Sequence, residues 1–317
     1  MSLPKLLITR RVYDPVLDSL SGAFDIQHNQ DKDEPLTKPD LIQKLADKDY
    51  LLSTVVDRID EEVLAAAPGL KCIASGAVGT NNIDLKACAD RGIAVTNTPD
   101  VLTETTADFA WALLMATARR LTEAERYLRQ GQWKGWSFDQ LTGVDVYGST
   151  LGILGMGRIG SAIARRAQGF GMTVLYHNRR PASDEARARY VEKDVLFKES
   201  DFVVLVVPYS PQTHHIVAAK ELALMKTSAC LVNIARGGVV DDKALVQALQ
   251  SGSIRAAGLD VFEGEPALDP GFLTLSNVVL TPHIASSTRA TRGAMMQLAA
   301  DNLLAHAQGR ALLTQVA

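Results

Sequence analysis

The stretch Leu151-Gly152-Ile153-Leu154-Gly155-Met156-Gly157-Arg158-Ile159-Gly160 decides the fold. An apolar run ending at Leu154 leads into a G-x-G-x-x-G turn, and Ile159, Ile163 and Ala164 then give the next residues a helical apolar face. Three glycines alone are a weak signal; a strand before them and a helix after them make the pattern a dinucleotide site. One glycine permits the tight turn, one lets the backbone approach a pyrophosphate, and one allows close helix–strand packing. The helix N-terminus then offers that pyrophosphate unpaired N–H groups and a partial positive charge.

Outward from this turn the pattern repeats. Thr173-Val174-Leu175-Tyr176, Val203-Val204-Leu205-Val206-Val207, Leu231-Val232-Asn233-Ile234 and Val278-Val279-Leu280 are continuous apolar runs, as strands covered on both faces must be. Upstream, Leu6-Leu7-Ile8, Tyr50-Leu51-Leu52, Cys72-Ile73-Ala74 and Ile93-Ala94-Val95 read as buried strands. Leu41-Ile42-x-x-Leu45 and Ile83-x-x-x-Ala87 between them have helical spacing. The expectation is an α/β chain of two doubly wound parallel-sheet domains, the second a Rossmann dinucleotide-binding domain. Residues 1–99 with 286–317 are expected to form the substrate-binding domain, and 100–285 the dinucleotide-binding domain. A long helical region is expected over about 102–130, and another over 288–307. Phe109, Trp111, Leu113, Leu114 and Met115 are apolar nearly all round the first of these, which points to a homodimer built there. Trp133 and Trp136 read as core or interface residues, and the charged patch 184–189 as a solvated helix face.

Composition narrows the classes. Of the 317 residues 47% are apolar and 22% charged, which excludes a disordered chain, a collagen and a disulfide-rich miniprotein. Lys and Arg total 33 against 36 Asp and Glu, so no basic excess suggests a nucleic-acid or membrane partner. Cys72, Cys88 and Cys230 are scattered without a Cys-x-x-Cys pair, and buried free thiols are expected. The opening Met-Ser-Leu-Pro-Lys-Leu-Leu-Ile is too short an apolar run for a signal peptide, and no run reaches the ~18–20 residues of a membrane span. A cytoplasmic protein without a metal is the expectation.

The end of the second strand bears on the choice of cofactor. NAD calls for a carboxylate there to grip the ribose hydroxyl, but His177-Asn178-Arg179-Arg180 stands instead. Arg179 and Arg180 would welcome a 2′-phosphate, and Asn178 could donate to it without adding negative charge. NADPH is therefore expected over NADH.

Three later segments place unusual residues just after strands: Ala235-Arg236-Gly237-Gly238, Asp260-Val261-Phe262-Glu263-Gly264-Glu265-Pro266, and Thr281-Pro282-His283-Ile284-Ala285-Ser286. With the Gly-rich turn, this ordered set closely resembles the D-isomer-specific 2-hydroxyacid dehydrogenases, and among them the glyoxylate/hydroxypyruvate (2-ketogluconate) reductases. The resemblance implies that Arg236 orients the substrate, His283 donates the proton and Glu265 is the carboxylate paired with it. It implies cofactor contacts at Gly155, Gly157, Arg158, Ile159, Gly160, Asn178, Arg179, Arg180, Pro208 and Ala235, with Asp260 meeting the nicotinamide carboxamide. Substrate contacts would come from Val78, Gly79, Arg236 and Ser286, the first two lying in Gly76-Ala77-Val78-Gly79-Thr80-Asn81-Asn82-Ile83-Asp84. Thr80-Asn81 departs from the family's usual aromatic-Asp pair, and Ala285 stands where Gly is common; neither removes a catalytic group.

The residue chemistry supports these roles independently. A guanidinium fork fits carboxylate and carbonyl oxygens together. Imidazole titrates where a proton donor must, and a paired carboxylate favours its charged form. The expected reaction is reduction of glyoxylate, hydroxypyruvate or 2-ketogluconate to the D-2-hydroxy acid. A dinucleotide-sensing corepressor on the same fold is one alternative. A phosphite dehydrogenase is another, weakened because Val78 stands where that enzyme carries Lys.

Overall fold

The computed structural model describes residues 2–31, 33–182 and 187–317. They form two compact units, Met1–Leu102 with Ser287–Ala317, and Thr103–Ser286.

In chain order the first unit contains β1 (Lys5–Ile8), α1 (Asp14–Ser21), β2 (Asp25–His28), α2 (Lys38–Leu45), β3 (Tyr50–Ser53), α3 (Glu61–Ala65), β4 (Cys72–Ser75), α4 (Leu85–Asp90) and β5 (Ala94–Thr96). Among the described residues the strands pair in the order β2-β1-β3-β4-β5, every pair parallel. Pleating divides them between two cores. Leu7, Leu51, Ile73 and Val95 pack on one face, and Leu6, Ile8, Tyr50, Leu52, Cys72 and Ala74 on the other. Strand β2 has no fully buried residue, and so carries no apolar run to announce it. Helix α4 begins two residues later than the Ile83 spacing suggests, because Asp84 caps it through the Ala87 N–H.

The second unit contains α5 (Thr103–Ala118), α6 (Leu121–Arg129), β6 (Thr150–Leu154), α7 (Arg158–Ala167), β7 (Thr173–His177), β8 (Arg189–Tyr190), α8 (Lys193–Glu199), β9 (Phe202–Leu205), α9 (Ala219–Leu224), β10 (Cys230–Asn233), α10 (Asp242–Ser251), β11 (Ala256–Leu259) and β12 (Val278–Leu280). The chain then returns to the first unit as α11 (Arg289–Ala307), which packs on α1 and β4. The sheet order is β12-β11-β10-β9-β6-β7-β8, again parallel throughout. From β6 the chain runs outward through β7, then crosses back to β9 on the other side, so a switch point lies between β6 and β9. Val203, Leu205, Leu231 and Leu259 face one core; Ile153, Phe202, Val204 and Val232 face the other, against α5 and α7.

Two expectations for this unit need correction. The helix over 102–130 is two helices, broken where Arg120 takes a left-handed φ of 54° and pairs with Glu123. Trp111, Leu113 and Leu114 do not form a surface patch: they are buried in the unit's own core. Trp111 stacks on Phe170 at 4.6 Å and donates Nε1 to the Ile163 carbonyl. Exposed apolar side chains follow α5, among them Leu121, Leu128, Trp133, Trp136, Phe138 and Tyr147, so neither Trp133 nor Trp136 belongs to the core.

The 184–189 patch falls outside the described residues over 184–186, and its last residue, Arg189, begins a strand rather than a helix face. Cys72, Cys88 and Cys230 are buried free thiols, as expected, and burial pushes them up to about 12, 11 and 12. No helix among the described residues is long and apolar enough to cross a membrane.

Candidate active site

Every site residue expected in the central segment of the second unit follows the carboxyl end of a strand in one parallel sheet. The Gly-rich turn follows β6, Asn178 follows β7, Pro208 β9, Ala235 and Arg236 β10, Asp260 β11, and His283 β12. That edge is where open α/β sheets bind ligands.

The three glycines have different jobs. At Gly155 (φ 108°) an added Cβ would stand 2.9 Å from the Val206 and Val207 backbone, across the switch point. At Gly160 it would stand 2.2 Å from the Gly155 carbonyl oxygen, so α7 rests directly on the turn. At Gly157, the exposed N-cap of α7, it would meet nothing within 4 Å. The two outer glycines are needed by the fold, whereas the middle one leaves open space at a helix N-terminus, as a pyrophosphate requires. The residues present fit a dinucleotide.

At the end of β7 the arginines and the asparagine part company. Arg179 and Arg180 are solvent-exposed. Asn178 is engaged with the Gly-rich turn. Its Oδ1 accepts from the Met156 N–H at 2.7 Å and its Nδ2 donates to the Met156 carbonyl at 3.4 Å, bracing the Gly-rich turn.

His283 and Glu265 meet as expected, with Nδ1 to Oε2 at 2.9 Å. Glu265 is fixed by its second oxygen, which accepts from the Phe262 N–H at 2.9 Å. Burial opposes its ionisation, but the hydrogen bonds from His283 and Phe262 and the charges of His283 and Arg236 outweigh this and hold the carboxyl below its ordinary value. An ionised carboxylate only accepts, so His283 donates through Nδ1 and keeps Nε2 for other work. Arg236 donates Nη1 to the Ala235 carbonyl at 2.7 Å; burial lowers its pKa, partly offset by the charge of Glu265. The motif needs Gly237 for a plain reason. A Cβ there would lie 1.7 Å from the Phe262 carbonyl oxygen, so the Arg236 turn packs on the backbone that carries Glu265.

A family model described as D-isomer specific 2-hydroxyacid dehydrogenase, NAD binding domain, matches residues 111–285. The chain belongs to that family. It is 49% identical over 313 residues to a glyoxylate reductase of Thermococcus onnurineus, covering 96% of this chain and 93% of that one. A glyoxylate reductase of Korarchaeum cryptofilum is 49% identical over 311 residues, at 96% and 93% coverage. Among solved structures, an NADPH-dependent glyoxylate/hydroxypyruvate reductase of Sinorhizobium meliloti, in complex with NADP and malonate, superposes with a TM-score of 0.89. It is 36% identical, covering 100% of this chain and 97% of that one. The protein is thus an oxidoreductase of 2-hydroxy acids that uses a nicotinamide dinucleotide.

In this 2-hydroxyacid dehydrogenase Asp260 braces the turn that carries His283. It is fully buried, and its carboxylate accepts from Thr281 Oγ1 at 2.7 Å and from the Ile284 and Ala285 N–H groups at 2.8 Å. Those bonds wrap the turn carrying His283, whose own N–H donates to the Asp260 carbonyl at 2.9 Å. Burial raises the Asp260 pKa, against the pull of these hydrogen bonds. In the first unit Val78 and Gly79 are partly exposed beyond β4, with the Val78 carbonyl held by Asn97 Nδ2 at 2.8 Å. Ser286 is partly buried at the end of the second unit. Sequence reasoning passed over Asp242, which accepts from the Glu263 N–H at 2.9 Å, and the pair His214-His215, which lies against Glu263. The adjacent histidines were a visible signal; the Asp242 contact, made between distant segments, was not.

Proposed function

We propose that this dehydrogenase works as a reductase, converting glyoxylate, hydroxypyruvate or 2-ketogluconate to the D-2-hydroxy acid, with NADPH preferred over NADH. What carries the reading is the 2.9 Å His283–Glu265 pair, charge-coupled to Arg236, at the strand ends of a sheet with a dinucleotide turn.

Reduced nicotinamide, when bound, supplies the hydride to the keto carbon. Arg236 takes the substrate carboxylate and carbonyl oxygen in its fork, and its charge steadies the developing alkoxide. The proton for that oxygen comes from His283 Nε2, because Nδ1 is committed to Glu265. Glu265 fixes the ring through the Nδ1 contact. In the first unit, the backbone N–H groups of Val78 and Gly79 are assigned to the substrate carboxylate. Arg179 and Arg180 are assigned to a 2′-phosphate, supported by the absence of an acid after β7. The protein is further proposed to act as a homodimer.

Measuring kcat/KM for the three keto acids with each cofactor tests the reading. Charge-assisted bonds to a phosphate contribute about 1.5–3 kcal/mol, so at least about a tenfold preference for NADPH is expected, lost in Arg179→Ala. Equal kcat/KM for NADH and NADPH in the unmodified protein would remove the cofactor assignment. Failure to turn over any of the three acids would remove the substrate assignment.

A further inference from the structure

The loop after β9 and the turn after β11 bring together three donor side chains that have no part in the reaction above. His214, His215 and Glu263 each offer one donor atom, and these atoms all lie within 4.8 Å of one another. His215 Nε2 stands 3.2 Å from both carboxylate oxygens of Glu263, and the His214 ring stacks on His215 with centroids 3.8 Å apart.

The arrangement is held by the backbone. His215 has a φ of 49°, a left-handed conformation that a non-glycine residue adopts at a cost, and its N–H donates to the Gly238 carbonyl at 2.7 Å. Gly238 (φ 73°) lies where a Cβ would stand 2.9 Å from the Tyr209 ring and 3.6 Å from His214 Nδ1. Tyr209 orients His214 through a 3.2 Å contact between its hydroxyl and Nδ1, and Asp242 pins Glu263 through its N–H. The His214 ring thus has an orienting neighbour, as metal-ligating imidazoles do, and the backbones of His215 and Glu263 are held in place.

Two imidazoles and a carboxylate suit a late first-row divalent ion, zinc above all. With bonds of about 2.0–2.1 Å to nitrogen and oxygen, ligand atoms at the corners of a zinc tetrahedron stand about 3.3 Å apart. The His215–Glu263 separation of 3.2 Å already matches that edge. From the 4.8 Å limit, the third donor closes by no more than about 1.5 Å. We propose that His214, His215 and Glu263 form a binding site for one zinc-like divalent transition ion, with water completing its coordination. Such an ion ties the loop after β9 to the turn that carries Glu265.

The test is titration of the chelator-treated full-length protein with Co²⁺, followed by displacement with Zn²⁺. One equivalent is expected to bind with visible ligand-field absorption and a dissociation constant tighter than about 100 μM. The melting temperature should rise with added Zn²⁺. His214→Ala removes one donor while leaving the His215–Glu263 pair intact, so it separates a metal site from a simple ion pair. It and Glu263→Gln are each expected to weaken binding at least tenfold, whereas His283→Ala leaves it unchanged. Binding weaker than that limit, binding unaffected by His214→Ala and Glu263→Gln, or binding abolished by His283→Ala overturns the proposal.

Discussion

His283 adopts a left-handed φ of 54°, which a histidine holds only when its surroundings fix it. Asp260 does the fixing, with its carbonyl on the His283 N–H and its carboxylate on the next two N–H groups. The proposed chemistry and the strain thus meet at one residue. His283→Ala should lower kcat by about 10²–10⁴-fold while leaving cofactor affinity intact; a variant keeping more than about a tenth of kcat, with hydride transfer limiting, would refute the assignment. Glu265→Gln leaves the ring without the carboxylate that fixes it and should lower kcat while cofactor affinity is kept; an unchanged kcat counts against the pair. Asp242 offers a test on stability. Burial, with Glu263, Asp269 and Asp241 adding repulsion, raises its pKa from 3.8 to about 6 against the pull of the Glu263 N–H. A raised folded-state pKa means stability that is present below about 3.8 and lost as pH rises to about 6. Asp242→Asn keeps an acceptor without the charge. It should be more stable than the parent by about 1–3 kcal/mol at neutral pH, with the gain gone by about pH 4. Denaturant unfolding at both pH values measures this, and a gain that persists at the lower pH would show that the charge is not its source.

At the scale of elements, the Gly-rich turn separates fold from function within a few residues. Gly160→Ala drives a Cβ into the Gly155 carbonyl oxygen and should cost about 1–3 kcal/mol of stability. Gly157→Ala has open space and an unstrained φ of −93°, so its stability should change by no more than about 0.5 kcal/mol. Its methyl group stands where the pyrophosphate comes closest, so dinucleotide affinity should fall at least about tenfold. Melting curves and cofactor titrations on the two variants decide this; equal effects on both would place the phosphates elsewhere. The turn was legible because its signal is local: a strand, three glycines and a helix in sequence. The residues proposed as catalytic were legible because each lies in a segment that follows an apolar strand. What escaped depended on partners far along the chain. Strand β2, with residues Asp25-Ile26-Gln27-His28, has no buried run and exists by pairing with β1. The break at Arg120 carries no Gly or Pro to announce it. The contact of Asn178 with the Met156 backbone, 22 residues away, is likewise not announced by its neighbours.

For the whole molecule, composition and pattern established an α/β chain with two parallel sheets, but they put the apolar surface in the wrong helix. Runs of Trp, Leu and Met read alike whether they face their own unit or a second chain, and in α5 they face α7 and the strands β10, β11 and β12. The unpartnered surface begins at α6, which buries none of its residues although Leu121 and Leu128 lie two turns apart on one stripe. Trp133, Trp136, Phe138 and Tyr147 follow, with Phe138 89% exposed. Six large apolar side chains left exposed in one stretch of chain are the kind of surface that seeks a partner. A second copy of the chain is therefore expected to hold this surface at micromolar concentration. Light scattering should give twice the 34.2 kDa chain mass. The double change Trp136→Glu with Phe138→Glu puts two charges where apolar contact is needed, at positions with no role in the unit's own core. It should yield the monomer mass without lowering the melting temperature of the isolated chain. A parent protein that scatters as 34.2 kDa at micromolar concentration would show that these aromatics stay in water.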